Sequence, residues 1–393
     1  MISVEDQYFS LNRTLLLAIG LWPYQKSTLA RFQSICFFTI EATFIISQLT
    51  IFLTSKYTID IVIKILSSAM ACVSFTLTYN SFYVNGETIM YLMEQLQHIY
   101  EHIKDKNELV IIERYENNAK HYTIGFLTLF FVILPIYLSA HIWPGFFDII
   151  LLTILNKPQL RHLQITTNYS VNQKQYLYIR QLHMVVAILI GIVAVIATGA
   201  MLITYIQHAC GMFKIASYRV KNVMQIHILQ DVNLKKESLI HKNIICAVDI
   251  HRKAMKFSNH FISKFEMSFL LLIIFGVITL SCNIFQIFQV TSEYNADQFI
   301  LSVIIVLVVF AYMFISNFIG QKIIDHNNDV YAAAYNVCWY TAPLHIQKII
   351  LFLLQRSNKP FGLNVAGLFI ASLECFATLV KASVSYFTVM YSV

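Results

Sequence analysis

Apolar residues in this chain come in long blocks rather than in alternation. Seven blocks approach or exceed the ~20 residues that a helix needs to cross a bilayer: 35–54, 58–84, 122–143, 182–206, 267–290, 297–320 and 363–393. Pro135 interrupts the third, which membrane helices tolerate when neighbours satisfy the freed carbonyl. A further apolar run, 344–354, is too short to span and reads as an amphipathic or buried helix ahead of the last block. The segment 207–266 has an apolar period that extends the fourth and fifth helices beyond the membrane. The pattern predicts an all-α membrane protein with seven transmembrane helices.

Composition sharpens this. The chain is 57% hydrophobic and only 12% charged, about half the charged share of an ordinary soluble domain, so a soluble helical protein is excluded. The net charge of +7 suits anionic lipid. No nucleic-acid partner is expected, because the basic residues lie between apolar blocks instead of on one compact domain. No residues mark a cleavable signal peptide, so the first span serves as the insertion signal.

Orientation follows from the flanking Lys and Arg residues. The side holding the N-terminus carries 21 and the opposite side 5; without the long 207–266 segment the tally is still 11 against 5. The N-terminus is therefore expected in the cytoplasm and the C-terminus outside. The sequon at Asn168 falls on the outer side, where glycosylation is possible; the sequon at Asn12 falls inside and goes unused. The same orientation places none of the seven cysteines in an outer loop, so no structural disulfide is expected. It also opposes a G-protein-coupled receptor, which has its N-terminus outside.

The last block holds the most informative chemistry. Glu374, Thr378, Lys381, Ser385, Thr388 and Ser392 recur at gaps of 4, 3, 4, 3 and 4, which puts polar groups along one helical face. Such a face lines a pore, or it bonds to neighbouring helices inside a bundle. Val389 and Val393 lie one turn apart near the outer end, where two apolar rings can close a pore by excluding water. The outer halves of the preceding spans supply a candidate site for an apolar small molecule: Ile136, Ser139 and Trp143 on the third, Met184 and Ile188 on the fourth, Phe285 and Phe288 on the fifth. Lipid-facing or interhelical packing is the competing reading for each. Glu41, in the first span, has no partner evident in the sequence. His98 and His102 have a spacing that can hold zinc, but no third ligand is evident. No phosphate loop, nucleophile elbow or His-Glu-x-x-His helix occurs, so no enzyme, metal or cofactor is expected.

Several segments resemble the insect odorant receptors. They are Gly20-Leu21-Trp22-Pro23, the stretch from Cys210 to Arg219, the run 244–257 around His251, and the C-terminal pair 356–360 and 381–389, which is the most specific. The resemblance implies a ligand-gated, non-selective cation channel in the plasma membrane of olfactory neurons, with small volatile or oily odorants as ligands. It implies a heterotetramer with the co-receptor Orco, in which the last helix of each subunit lines one central pore. It also implies a division into an N-terminal segment 1–34 with a re-entrant or interfacial helix over 15–22, helices 35–206, an anchor segment 207–266, helices 267–320, a second anchor segment 321–362 and the pore helix 363–393. Lys381 and Ser385 would face the pore, with Val389 and Val393 as the gate. Trp143 with Ser139, and Met184 with Ile188, match short patterns of the family's pocket. The chain lacks the long insertion that marks the co-receptor's second cytoplasmic loop, so it resembles the odorant-tuned subunit. A seven-helix receptor signalling through a cytoplasmic partner such as a G protein is the alternative; a secondary transporter would favour an inverted repeat, and none is visible.

Overall fold

The structure, a computed structural model, describes residues 9–25, 27–50, 59–155, 177–229, 234–293 and 296–392. Ten α-helices follow in order: α1 Ser10–Ala18, α2 Thr28–Leu49, α3 Ile59–Val84, α4 Gly86–His102, α5 Lys106–Leu155, α6 Leu177–Leu229, α7 Leu234–Glu293, α8 Ala296–Asn336, α9 Leu344–Ser357 and α10 Leu373–Ser392. Between α9 and α10 lies a short antiparallel hairpin, β1 Asn364–Val365 and β2 Phe369–Ile370. Seven of these helices, α2, α3, α5, α6, α7, α8 and α10, hold segments long and apolar enough to cross a membrane.

The helices are much longer than the bilayer requires. With 60 residues, α7 is ~90 Å long at ~1.5 Å per residue, about three times the hydrocarbon layer. The extra length builds a second body. One continuous apolar cluster joins α1, Phe37 of α2, Tyr79 and Phe82 of α3, α4, the first turns of α5, the Ala194–Val223 part of α6, the Ile240–Phe265 part of α7, the end of α8, α9 and the hairpin. At the other end only small clusters form, such as Phe44, Cys72, Met184 and Ala187. Only 11% of the most apolar window is buried in the third, sixth and seventh spans, so these helices present most of their surface to something outside the chain.

Polar ties fix the large body. Arg219 of α6 makes a bidentate pair with buried Glu108 of α5, at 2.6 and 2.7 Å, and donates a third bond to Cys246 O of α7 at 3.0 Å. His251 Nε2 of α7 lies 3.2 Å from Asn327 Oδ1 of α8. Asn327 Nδ2 in turn donates to Ser357 O at the end of α9. Three helices thereby share one buried hydrogen-bonded chain.

The observed ends differ from the expected ones in three places. The N-terminal helix covers Ser10–Ala18 rather than 15–22. It stops at Gly20, whose φ of 72° suits glycine, while Gln33 Nε2 donates to Leu17 O and Ala18 O and satisfies its last carbonyls. The first span begins at Thr28, not 35, because Ser27 caps it by accepting from Ala30 N at 3.2 Å; an N-cap outweighs the polarity of Arg31 and Gln33. The last helix begins at Leu373, not 363, because residues 364–370 form the hairpin. Ala366 and Gly367 at its tip have φ of 53° and 73°, a turn that helix cannot continue through. The third span runs unbroken past Pro135.

The Arg219 site gives a direct stability test. Arg219→Leu leaves the Glu108 carboxylate buried without its partner, and such a loss costs about 3–5 kcal/mol. Detergent-solubilised Arg219→Leu receptor should melt well below the unmodified chain, and an unchanged melting curve would show that this pair does not hold the body together.

Candidate functional site

The last helix is positioned before it is packed. Gly320 of α8 comes against Ala371, just before α10, with no room for a side chain between them: a Cβ there would lie 2.6 Å from Ala371 O. Ser372 then caps α10 by accepting from Cys375 N at 3.1 Å. Asn317 Oδ1 and Gln321 Oε1, one turn apart on α8, accept from Ser372 N and Leu373 N at 3.3 Å each. The starting point and direction of α10 are thus dictated by α8 and the hairpin.

One side of α10 is then buried along its length. Leu379 packs with Val277, Leu280 and Met313. Buried Ser281 Oγ of α7 donates to Ser383 O at 2.9 Å. Phe376 meets Phe310 and Phe314 of α8 edge-on, at centroid distances of 5.1 and 5.4 Å. Toward the C-terminal end, Phe387 and Met390 pack on Ile63 of α3 and on Cys282 and Phe285 of α7.

The polar stripe lies on the opposite side. At about 100° per residue, Glu374, Thr378, Lys381, Ser385, Thr388 and Ser392 fall within a sector of ~80°, with Leu379 and Ser383 roughly opposite. All six stripe residues are exposed, while Leu379 and Ser383 are buried. The hydroxyls of Thr378, Thr388 and Ser392 bond back to carbonyls of their own helix, at Glu374, Ser385 and Val389. They make the face hydrophilic without reaching a neighbour in this chain. Val389, beside the stripe, is 59% exposed. Val393 lies outside the described residues. Holding Glu374 and Lys381 on a lipid-facing surface is expensive, so this face is built to meet water or another polar surface.

Comparison with known proteins identifies the fold and the lineage. The family model described as 7tm odorant receptor matches residues 58–384. The chain belongs to the odorant receptor family. This is a family of receptors rather than of enzymes. Among curated odorant receptors, the coreceptor of Ooceraea biroi is 25% identical over 157 residues, which cover 40% of this chain and 32% of the coreceptor. Odorant receptor 30a of Drosophila melanogaster is 24% identical over 104 residues, covering 26% of this chain and 28% of that one. These matches span about a third or less of the relatives' length. The fold is similar to the insect olfactory receptor OR5 from Machilis hrabei in complex with eugenol, with a TM-score of 0.76, 15% identity and 98% of each chain covered. The structure of the same receptor solved as such gives 0.73 at 14% identity.

Within this odorant receptor, the residues expected to hold a ligand fall in separate environments. Met184 and Ile188 pack with Ile40 and Phe44 of α2 and Cys72 of α3. Phe285 is buried between α3 and α10, and Phe288, 55% exposed, stacks on Phe387 of α10 at 4.9 Å. Ile136 is exposed, and Ser139 donates to its carbonyl at 2.9 Å. The backbone of Trp143 is helical, but its side chain lies outside the described residues, as does Asn168. The described side chains therefore do not converge on one site: α6 residues face α2 and α3, and α7 residues face α10.

Three features near Met184 come into view, of which the sequence had marked only Glu41. His183 Nε2 lies 3.2 Å from both Thr43 Oγ1 and Ile40 O of α2. Glu41 is fully buried and its carboxyl oxygens have no hydrogen-bond partner among the described residues, which places it inside the bundle as an intramembrane acid should be. Gly191 of α6 lies directly against the ring of Phe75 of α3. A glycine in an apolar block gave the only hint of this third contact. Among the described residues no group of three metal-binding side chains comes together; the rings of His98 and His102 stack at 4.1 Å, and His102 Nδ1 lies 2.7 Å from His98 O.

The Gly191 contact is testable by rescue. Gly191→Ala should push Phe75 out of place and lower the yield of folded receptor, since overpacking costs about 1–3 kcal/mol. Adding Phe75→Ala should restore much of that yield by making room. A double variant worse than the single would show that the two residues do not meet.

Proposed function

We propose that this chain is the odorant-tuned subunit of an odorant-gated, non-selective cation channel, assembled as a heterotetramer with the co-receptor Orco in the plasma membrane of olfactory neurons. The observation that carries this reading is the two-sided α10, whose polar face turns away from its own chain while its other face is buried. Brought together around an axis, four such faces make one hydrated path for cations, with Lys381 and Ser385 along it and Val389 and Val393 closing its outer end.

The other parts fit that use. The Lys and Arg tally supports a cytoplasmic N-terminus and an outer C-terminus. The basic 207–266 and 321–362 segments would be the cytoplasmic anchor, which agrees with the large apolar cluster to which both contribute. The N-terminal segment 1–34 would lie against that anchor. Odorant would bind among the outer halves of the spans. The Met184 and Ile188 cluster is one wall of the proposed pocket, completed by Ile136, Ser139 and Trp143, and Phe285 and Phe288 would carry the effect to α10. OR5 in complex with eugenol supports a small, mostly apolar ligand. The bound odorant opens the pore only by favouring the open arrangement over the closed one. Absence of the co-receptor's loop insertion supports the tuned role.

Polar substitution at Val389 tests the gate. Val389→Ser, co-expressed with the co-receptor, should raise resting current about tenfold, since wetting an apolar constriction removes its barrier. Unchanged resting current in channels that still reach the surface and respond to ligand would refute the gate assignment. Epitope tags on intact cells test the topology: the N-terminal tag should be hidden and the C-terminal tag exposed. The reverse pattern would favour a G-protein-type receptor.

A further inference from the structure

Among the described residues, three buried side chains of α5 and α6 have polar atoms without hydrogen-bond partners. Both carboxyl oxygens of Glu116, both ring nitrogens of His208 and both amide atoms of Gln207 are in this condition. Glu116 is 5% exposed, His208 1% and Gln207 0%. Buried polar groups in native proteins are nearly always bonded to protein or ordered water, so orphans on adjacent helices call for an explanation.

Glu116 of α5 and His208 of α6 both line one small cavity, which α1 covers with Phe9, Leu11 and Asn12. It offers ≈ 10 Å³ to the centre of a water-sized molecule, the room of about one water. The other polar walls are already committed. Asn12 Nδ2 donates to Thr204 Oγ1 at 2.8 Å, Thr204 donates to Ala200 O at 2.9 Å, and Thr123 donates to Ala119 O at 3.0 Å. None of these donors can turn to the Glu116 carboxyl. Lys120, four residues on from Glu116 along α5, also lines the cavity and attracts the Glu116 carboxyl electrostatically without a hydrogen bond to it, so a metal cation there would face an ammonium group.

We propose that this cavity is a water-binding site, in which one ordered water donates to the Glu116 carboxyl and bonds to the His208 imidazole. The water joins α5 to α6 beneath α1, so the seat of the N-terminal helix depends on it. Size selects water over any larger ligand, and the paired acceptor and imidazole give it partners on two sides. The site is independent of the channel assignment and stands whether or not α10 lines a pore.

A double-substitution cycle on the purified full chain tests it. Glu116→Leu and His208→Leu singly should each leave the water and the remaining group badly paired. Each should lower the melting temperature and speed amide exchange in residues 10–18 by about tenfold. The double variant removes both groups and should lie closer to the unmodified chain than either single. Additive losses, or singles without effect, would overturn the proposal. Should the variants not fold, a water-resolving density map of the unmodified receptor decides. A peak within hydrogen-bond distance of both Glu116 and His208 supports it, and a cavity filled by residues from the N-terminal end of the chain, or without density, overturns it.

Discussion

A charged helical face cannot rest in hydrocarbon at low cost, and that constraint organises this receptor. Placing a Lys or an Asp at the middle of a membrane helix costs roughly 2.5–3.5 kcal/mol by insertion measurements. α10 carries Glu374 and Lys381 among hydroxyls on one face, and Leu379, Ser383 and Phe387 on the other. The apolar face is claimed by α7 and α8. The polar face is left uncovered by this chain, and lipid would hold it only at that cost. Much else reads as a consequence: the hairpin, the Gly320 contact and the two amide side chains of α8 all aim α10, because a rotation of the helix would turn its charges into lipid.

A weakly packed membrane half needs a firm base. Beyond the reach of the large cluster the spans meet in small clusters, such as those around Met184, Leu379 and Phe285. The opposite end has a continuous core, the Glu108–Arg219 pair and the His251–Asn327–Ser357 chain. A base of that kind would hold the protein together through the rearrangement of the spans that gating in the proposed channel requires. α7 is the natural carrier between the two, since the same helix supplies His251 to the base and Ser281, Cys282 and Phe285 to α10.

Hydrophobic periodicity was enough to read the seven spans, their helical extensions and the short α9, because each rests on blocks longer than chance. The polar stripe was equally legible, as its gaps of 3 and 4 are local. Ends were not. Ser27, Gly20 and the 364–370 hairpin move three boundaries through backbone and capping chemistry that apolar block length does not see. Side-chain partners across helices were least legible. Met184 and Phe285 were expected to line one pocket, and each instead packs against a different pair of helices, because facing depends on helix rotation, not on composition. Glu116 and His208 gave no signal, since nothing local links residues so far apart on α5 and α6.

The central claim is that the stripe of α10 meets water in the assembled receptor. Single cysteines at Thr378, Ser385 and Thr388, and at Leu379 and Ser383 for comparison, can be probed with a charged, membrane-impermeant thiol reagent during ligand-evoked current. The account predicts rapid modification and altered current at the three stripe positions, with little effect at Leu379 and Ser383. Equal reactivity on both faces, or reaction confined to Leu379 and Ser383, would contradict it.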